Sequence, residues 1–298
     1  MKHSFTYYLT LFVIKLRGLK SDFSKDPIEF KKIRQQDVQS PKGRFFKRNT
    51  LRTFEIANSL ITEIGLNKNS NTLLLYIHGG AFISGPAQHH WDSLKEIVKK
   101  TNYIVWMCAY PKAPEHKISE ISASIDAIYN EALAKYKSDQ ISLIGDSVGG
   151  TLITSLTQRL IQKNIKLPKQ VILISPVVDA AMTNPEIEAV DKIDPMLSKV
   201  GVLSAKKMCA ENDDLTNVMI SPINGSFDDF PRTLLFVAKR DITYSDQLLA
   251  IKRLKDANVN IEVIEGENMP HIWPLLPVMK EAKVALCKII DELNHYPA

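Results

Sequence analysis

The sequence predicts an α/β fold in which a mostly parallel sheet of about eight strands carries helices on both faces and a helical cap. Three observations lead there. From residue 72 onward strand-like and helix-like stretches alternate, and repeated βα units require a parallel sheet covered on both sides. One strand-to-helix turn carries Gly145-Asp146-Ser147-Val148-Gly149, a G-x-S-x-G spacing that lifts a serine above the sheet edge. An aspartate and a histidine each follow a later strand, at the carboxyl rim where open α/β sheets bind ligands.

The 298 residues, 45% hydrophobic and 24% charged, suffice for one large domain with insertions, read here as 1–298. Three widely spaced cysteines, Cys108, Cys209 and Cys287, form no C-x-x-C pair, so neither a disulfide framework nor a zinc site is expected. Each reads as a small buried hydrophobe in a reducing, cytoplasmic location. The charge is uneven. Residues 1–60 hold 13 Lys/Arg and 5 Asp/Glu, a balance of +8, which leaves −3 for the rest of a chain whose total is +5. With no nucleic-acid motif beside it, the basic arm reads as a solvated face and nucleic acid is not invoked.

In chain order, residues 5–16 form an apolar run interrupted by Lys15 and without a small-residue cleavage site. At about a dozen residues it is too short to cross a bilayer, so no stable membrane insertion is expected. Phe5, Leu9, Phe12, Val13 and Leu16 fall on one helical face, which is expected to pack on the protein body. Strands over 51–56 and 60–65, joined through Asn58-Ser59, read as a hairpin. Strands over 72–77, 103–107, 141–144, 171–174, 233–238 and 261–264 then alternate with helices over 91–100, 118–135, 148–160, 245–256 and 277–293. Residues 177–230 interrupt the series with three prolines and four methionines. That composition suits short helices covering something, and the arm over 1–45 with this insertion forms the expected cap.

A serine hydroxyl needs a base within hydrogen-bond reach and a third group to hold that base in the correct tautomer. Of seven histidines only His271 and His295 follow Ser147, and His295 sits in the terminal tail. His271 lies on the loop after the last strand. Asp241 follows the preceding strand directly and is the first choice of acid, with Asp246, inside the next helix, as the reserve. Asp241 could equally cap the helix beginning near Thr243.

The stretch Ile77-His78-Gly79-Gly80-Ala81-Phe82 stands just past the first parallel strand. Together with Gly145 to Gly150 it resembles the paired His-Gly-Gly-Gly and Gly-Asp-Ser-Ala-Gly-Gly signatures of the bacterial hormone-sensitive lipase-like esterases. The resemblance extends to Tyr110-Pro111-Lys112-Ala113-Pro114-Glu115-His116, Ser175-Pro176, Val178-Asp179, Asp194-Pro195-Met196-Leu197 and the surroundings of Asp241 and His271. It implies the α/β-hydrolase fold, a Ser147–His271–Asp241 triad, and an oxyanion hole on the loop of Gly79, Gly80 and Ala81 with Val148. The donors it implies are the backbone N–H groups of Gly80, Ala81 and Val148. The sequence departs from the family pattern at Ala81, usually glycine, and at Val148, usually alanine.

His78 and His116 read as loop braces without an acid partner at obvious spacing. His89-His90 is accompanied by no H-E-x-x-H pattern, carboxylate cluster or Ca²⁺ loop, so no metal is expected. The expectation is therefore a cofactor-free serine carboxylesterase acting on a small-molecule ester. An amidase or deacetylase would use the same triad, and a lipase acting at a lipid surface is suggested only by the basic, apolar arm. A noncatalytic binding protein would need a broken triad. The oligomeric state is left open, a homodimer included.

Overall fold

The computed structural model describes residues 3–49 and 51–295; Lys2, ahead of the arm's apolar run, and residues 296–298 lie outside them. One eight-stranded sheet runs through the molecule in the order β1-β2-β4-β3-β5-β6-β7-β8. Its strands are β1 (Arg52–Ile56), β2 (Ser59–Ile64), β3 (Leu73–Ile77), β4 (Ile104–Ala109), β5 (Ile141–Asp146), β6 (Gln170–Ile174), β7 (Arg232–Ala238) and β8 (Ile261–Gly266). β1 and β2 pair antiparallel, as do β2 and β4, and every later pairing is parallel. The hairpin turns one residue earlier than the sequence suggests. Ala57 and Asn58 take φ of 44° and 63°, the paired left-handed geometry that matches strand twist, and alanine there is a poor sequence signal for it.

Both faces of the sheet are buried along its central strands β3, β5 and β6, which are mostly apolar, whereas the edge strands β1 and β8 carry charged residues and are partly exposed. Along β3, Leu73, Leu75 and Ile77 join one core while Leu74 and Tyr76 join the other, the period of two that a pleated strand imposes. Each such side chain contributes roughly 1.5–3 kcal/mol on removal from water. Helices Gln88–Lys100 and Lys280–His295 bury their inner faces in one core, Ile118–Lys135 and Val148–Gln162 in the other.

The arm begins with helix Phe5–Leu16, capped by Ser4, whose hydroxyl accepts from the Tyr7 N–H at 3.1 Å. Its inward face is the opposite of the expected one. Tyr7 and Ile14 are buried with Leu11 packed beside them, whereas Phe5, Leu9, Phe12, Val13 and Leu16 are exposed. Polar partners decide the rotation: Tyr7 Oη donates to the Asn268 carbonyl at 2.8 Å, and the Ser4 N–H and hydroxyl both donate to Glu281 at 2.7 Å. Further on, the arm meets the 177–230 insertion. The Gly201 N–H, in helix Lys199–Cys209, donates to the Phe23 carbonyl at 2.9 Å. A Cβ at residue 201 would stand 2.0 Å from that oxygen, so only glycine permits the approach. The Ile28 N–H donates to Ser204 Oγ in the same helix.

Cys108 and Cys209 are buried free thiols, but Cys287 is exposed, contrary to expectation. It lies on the outer side of the last helix, whose inner side is filled by Ala282, Ala285 and Ile289. Among the described residues no helix is long and apolar enough to cross a membrane.

Candidate active site

β5 delivers Ser147 to a cavity at the carboxyl rim. The strand continues two residues past its expected end, and Ser147 then turns with φ 53° and ψ −123° into helix Val148–Gln162. A non-glycine residue in this region is strained, by about 1–3 kcal/mol, and the surroundings must hold it there. They do so through main chain: the Ser147 N–H donates to the Ile174 carbonyl at 2.9 Å, and the Ser147 carbonyl accepts from Val177, Gly150 and Thr151. The flanking glycines supply clearance. A Cβ on Gly149 would meet the Ile77 carbonyl oxygen at 2.0 Å, and one on Gly145 would meet Gly149 itself at 2.7 Å.

His271 arrives on the loop after β8 and Asp241 on the loop after β7. His271 Nδ1 lies 2.6 Å from Asp241 Oδ2, both residues being buried. The second oxygen, Oδ1, accepts from the Thr243 N–H at 2.9 Å and its hydroxyl at 2.7 Å. Asp241 thus turns the next helix and grips the imidazole at once. Burial opposes charge on both partners, but their mutual attraction and hydrogen bond outweigh it. His271 sits above the ordinary histidine value, and Asp241, helped by Thr243, below the ordinary carboxylate value.

Ser147 and His271 line the same cavity, of about 160 Å³, without a hydrogen bond between hydroxyl and imidazole. Asp246 does not reach His271. It is buried facing Asp179 and Lys206, and burial, with the Asp179 charge added, pushes its carboxyl up to about 6.

The glycine loop after β3 closes the other wall. Gly80, Ala81 and Phe82 take φ of 120°, 55° and 64°, so alanine occupies a left-handed position at a cost of roughly 1–2 kcal/mol. Among the described residues none accepts from the N–H of Gly80, Ala81 or Val148, which suits three donors around one oxyanion. Gly79 belongs to the loop without serving as a donor, because its N–H donates to Asp146 Oδ1 at 3.1 Å and is already used. Its space is used as well, because a Cβ there would meet Asp146 Oδ2 at 2.3 Å.

His78 is buried, stacks on Tyr110 with centroids 4.5 Å apart and sets Nδ1 2.6 Å from the Gly79 carbonyl. Tyr110 Oη donates to the His78 carbonyl at 2.8 Å. His116 does have an acid partner, Glu120 Oε2 at 2.6 Å, one helical turn away.

His89, His90 and Asp146 bring ligand-type atoms within 4.8 Å of one another, with a carboxylate the linear sequence did not place there. Proton geometry favours a brace over a cation site. The Ala87 N–H donates to His90 Nδ1 at 2.8 Å, so Nε2 carries the proton and points it at Asp146, 3.3 Å away. Burial raises the Asp146 carboxyl, but His90, His89 and the Gly79 N–H together bring it below its ordinary value.

One contributor is legible only in hindsight. Asp194, in the Asp-Pro-Met-Leu stretch of the insertion, is buried and accepts from Ile242 N–H at 2.9 Å through Oδ2, and from Met196 and Leu197 N–H through Oδ1. It therefore fixes the residue after Asp241. Burial first, then the Asp241 charge, push its carboxyl up to about 6. The motif was the signal; its role depends on a contact across 48 residues.

A family model described as alpha/beta hydrolase fold matches residues 74–275. An esterase of Acinetobacter venetianus is 29% identical over 255 residues, covering 83% of this chain and 84% of its own. A solved Staphylococcus aureus structure, provisionally described as an esterase, superposes with a TM-score of 0.86 at 26% identity, covering 95% of this chain and 98% of that one. An esterase structure from the bacterial hormone-sensitive lipase family gives a TM-score of 0.88 at 22% identity, covering all of both chains; at that identity the likeness is one of fold. The matched stretch takes in the glycine loop, the serine turn, Asp241 and His271, and the chain belongs to the α/β-hydrolase fold family.

Proposed function

We propose that the protein is a serine carboxylesterase hydrolysing short- to medium-chain acyl esters through an acyl-enzyme intermediate. The observation that carries the reading is the 2.6 Å contact between His271 Nδ1 and Asp241 Oδ2 beside a serine held in a left-handed turn. Ser147 Oγ attacks the ester carbonyl while His271 Nε2 takes its proton. The N–H groups of Gly80, Ala81 and Val148 receive the developing oxyanion, each donor of this kind being worth on the order of 10²–10³ in rate. The C–O bond to the alcohol breaks as His271 returns the proton to the leaving oxygen. Water, deprotonated by the same imidazole, then attacks the acyl group and frees Ser147. Asp241 keeps His271 in the tautomer that exposes Nε2 to the serine, and no cofactor enters any step.

The esterase descriptions of the relatives support the substrate class. A cavity of about 160 Å³ supports the short end of the chain-length range, being close to the ~150 Å³ that accommodates a benzene ring. In this reading the arm over 1–45 and the insertion over 177–230 act as the cap, and the free thiols fit a cytoplasmic location.

Replacing Ser147 by alanine should abolish p-nitrophenyl butyrate turnover with the circular dichroism spectrum unchanged. Retained turnover would refute the assignment. Matched ester and amide substrates separate this reading from an amidase.

A further inference from the structure

The arm helix presents an apolar face that the fold does not use. Phe5 is 80% exposed, Leu16 70%, Phe12 58% and Tyr8 57%, and Leu9 and Val13 complete the same stripe. Packing does not require this arrangement, because Tyr7, Leu11 and Ile14 already seat the helix on the body. The electrostatic setting is one-sided. Residues 1–21 contain no Asp or Glu, and Lys15 and Arg17 are exposed, with no ion pair among the described residues. The last helix is tied to the arm through Ser4–Glu281 and through the Lys280 N–H to Thr6 Oγ1 at 3.0 Å. At that junction the helix adds exposed Val284 with Lys280 and Lys283, and the turn before it adds exposed Val278.

We infer that this face docks on an anionic lipid surface. A helix of 12 residues is about 18 Å long, short of the ~30 Å needed to span a bilayer. Its place is in the interfacial plane, with aromatic and aliphatic side chains in the acyl boundary and lysine and arginine among the headgroups. A second copy of the chain fits less well. A two-fold interface would set the same unpaired cations against themselves, whereas headgroup phosphates neutralise them. The chain runs on from this helix into Leu19, Asp22 and Phe23, which line the Ser147 cavity. Docking would therefore set the cavity mouth beside the layer in which apolar molecules dissolve, whatever reaction Ser147 performs.

The test uses the full chain and also its Ser147→Ala form, so that binding is read independently of turnover. Sedimentation with vesicles of phosphatidylcholine plus phosphatidylglycerol should carry the protein down, and vesicles of phosphatidylcholine alone should carry much less. The exposed double variant Phe12→Glu/Leu16→Glu should lower partitioning at least about tenfold. Lys15→Glu/Arg17→Glu should remove the preference for anionic vesicles. Turnover of a soluble ester by both double variants should stay near the parent's, which shows that they are folded. Equal sedimentation with both vesicle types, or none, overturns the proposal. So does a dimer seen by light scattering that the Phe12/Leu16 variant dissociates without any vesicle binding by the parent.

Discussion

At the residue scale, His271 is held between opposing influences, and the balance sets a measurable pH. Burial disfavours its imidazolium, the Asp241 charge and hydrogen bond favour it more strongly, and Asp194 and Asp146 add to that side. The protonated form therefore persists to higher pH than in a free histidine, and the base is lost below that point. On the acid side, kcat/KM should fall with a midpoint above the ordinary ~6.5; a midpoint at or below that value would contradict the geometry. Asp194→Asn keeps an oxygen for the Ile242 N–H and removes a negative charge near the pair. It should move the midpoint downward in the same pH series, while a merely structural defect would lower the plateau and leave the midpoint in place.

At the scale of elements, the serine turn depends on clearance between β3 and the helix that follows β5. Gly149→Ala would drive a methyl into the Ile77 carbonyl, a backbone atom with little room to retreat. A loss of about 2 kcal/mol or more is expected from overpacking of this kind, read as a lowered urea midpoint at unchanged slope. This turn was legible in the sequence because its chemistry is local: strand, five residues, helix. The order of Ser147, Asp241 and His271 was legible for a related reason, since each follows its own strand. The Asp146–His90 brace was not, because 56 residues separate the partners and only the neighbouring of β3 and β5 brings them together. Nor could the arm's rotation be read. Apolar residues surround most of that helix, so its inward face was chosen by polar anchors, Asn268 and Glu281, that lie far along the chain.

At the scale of the whole molecule, residues distant in sequence enclose one space: Leu19 and Phe23 from the arm, Met196 and Val202 from the insertion, Ala81 and His271 from the rim. The size of that enclosure gives a prediction. Across p-nitrophenyl esters graded by acyl length, kcat/KM should peak at short chains and fall for long ones. A maximum at long acyl chains would mean that arm and insertion do not bound the acyl site. The shape of the chain at residue 147 has a cost that the entire fold carries. A left-handed φ of 53° with ψ of −123° suits glycine far better than serine, since glycine lacks the Cβ that makes this region unfavourable. Ser147→Gly should therefore melt above the parent while losing turnover, because relief of about 1–3 kcal/mol exceeds the extra freedom glycine gives the unfolded chain. Heat resistance and the proposed chemistry are in conflict at that one position, and selection for thermal endurance alone would favour losing the serine there.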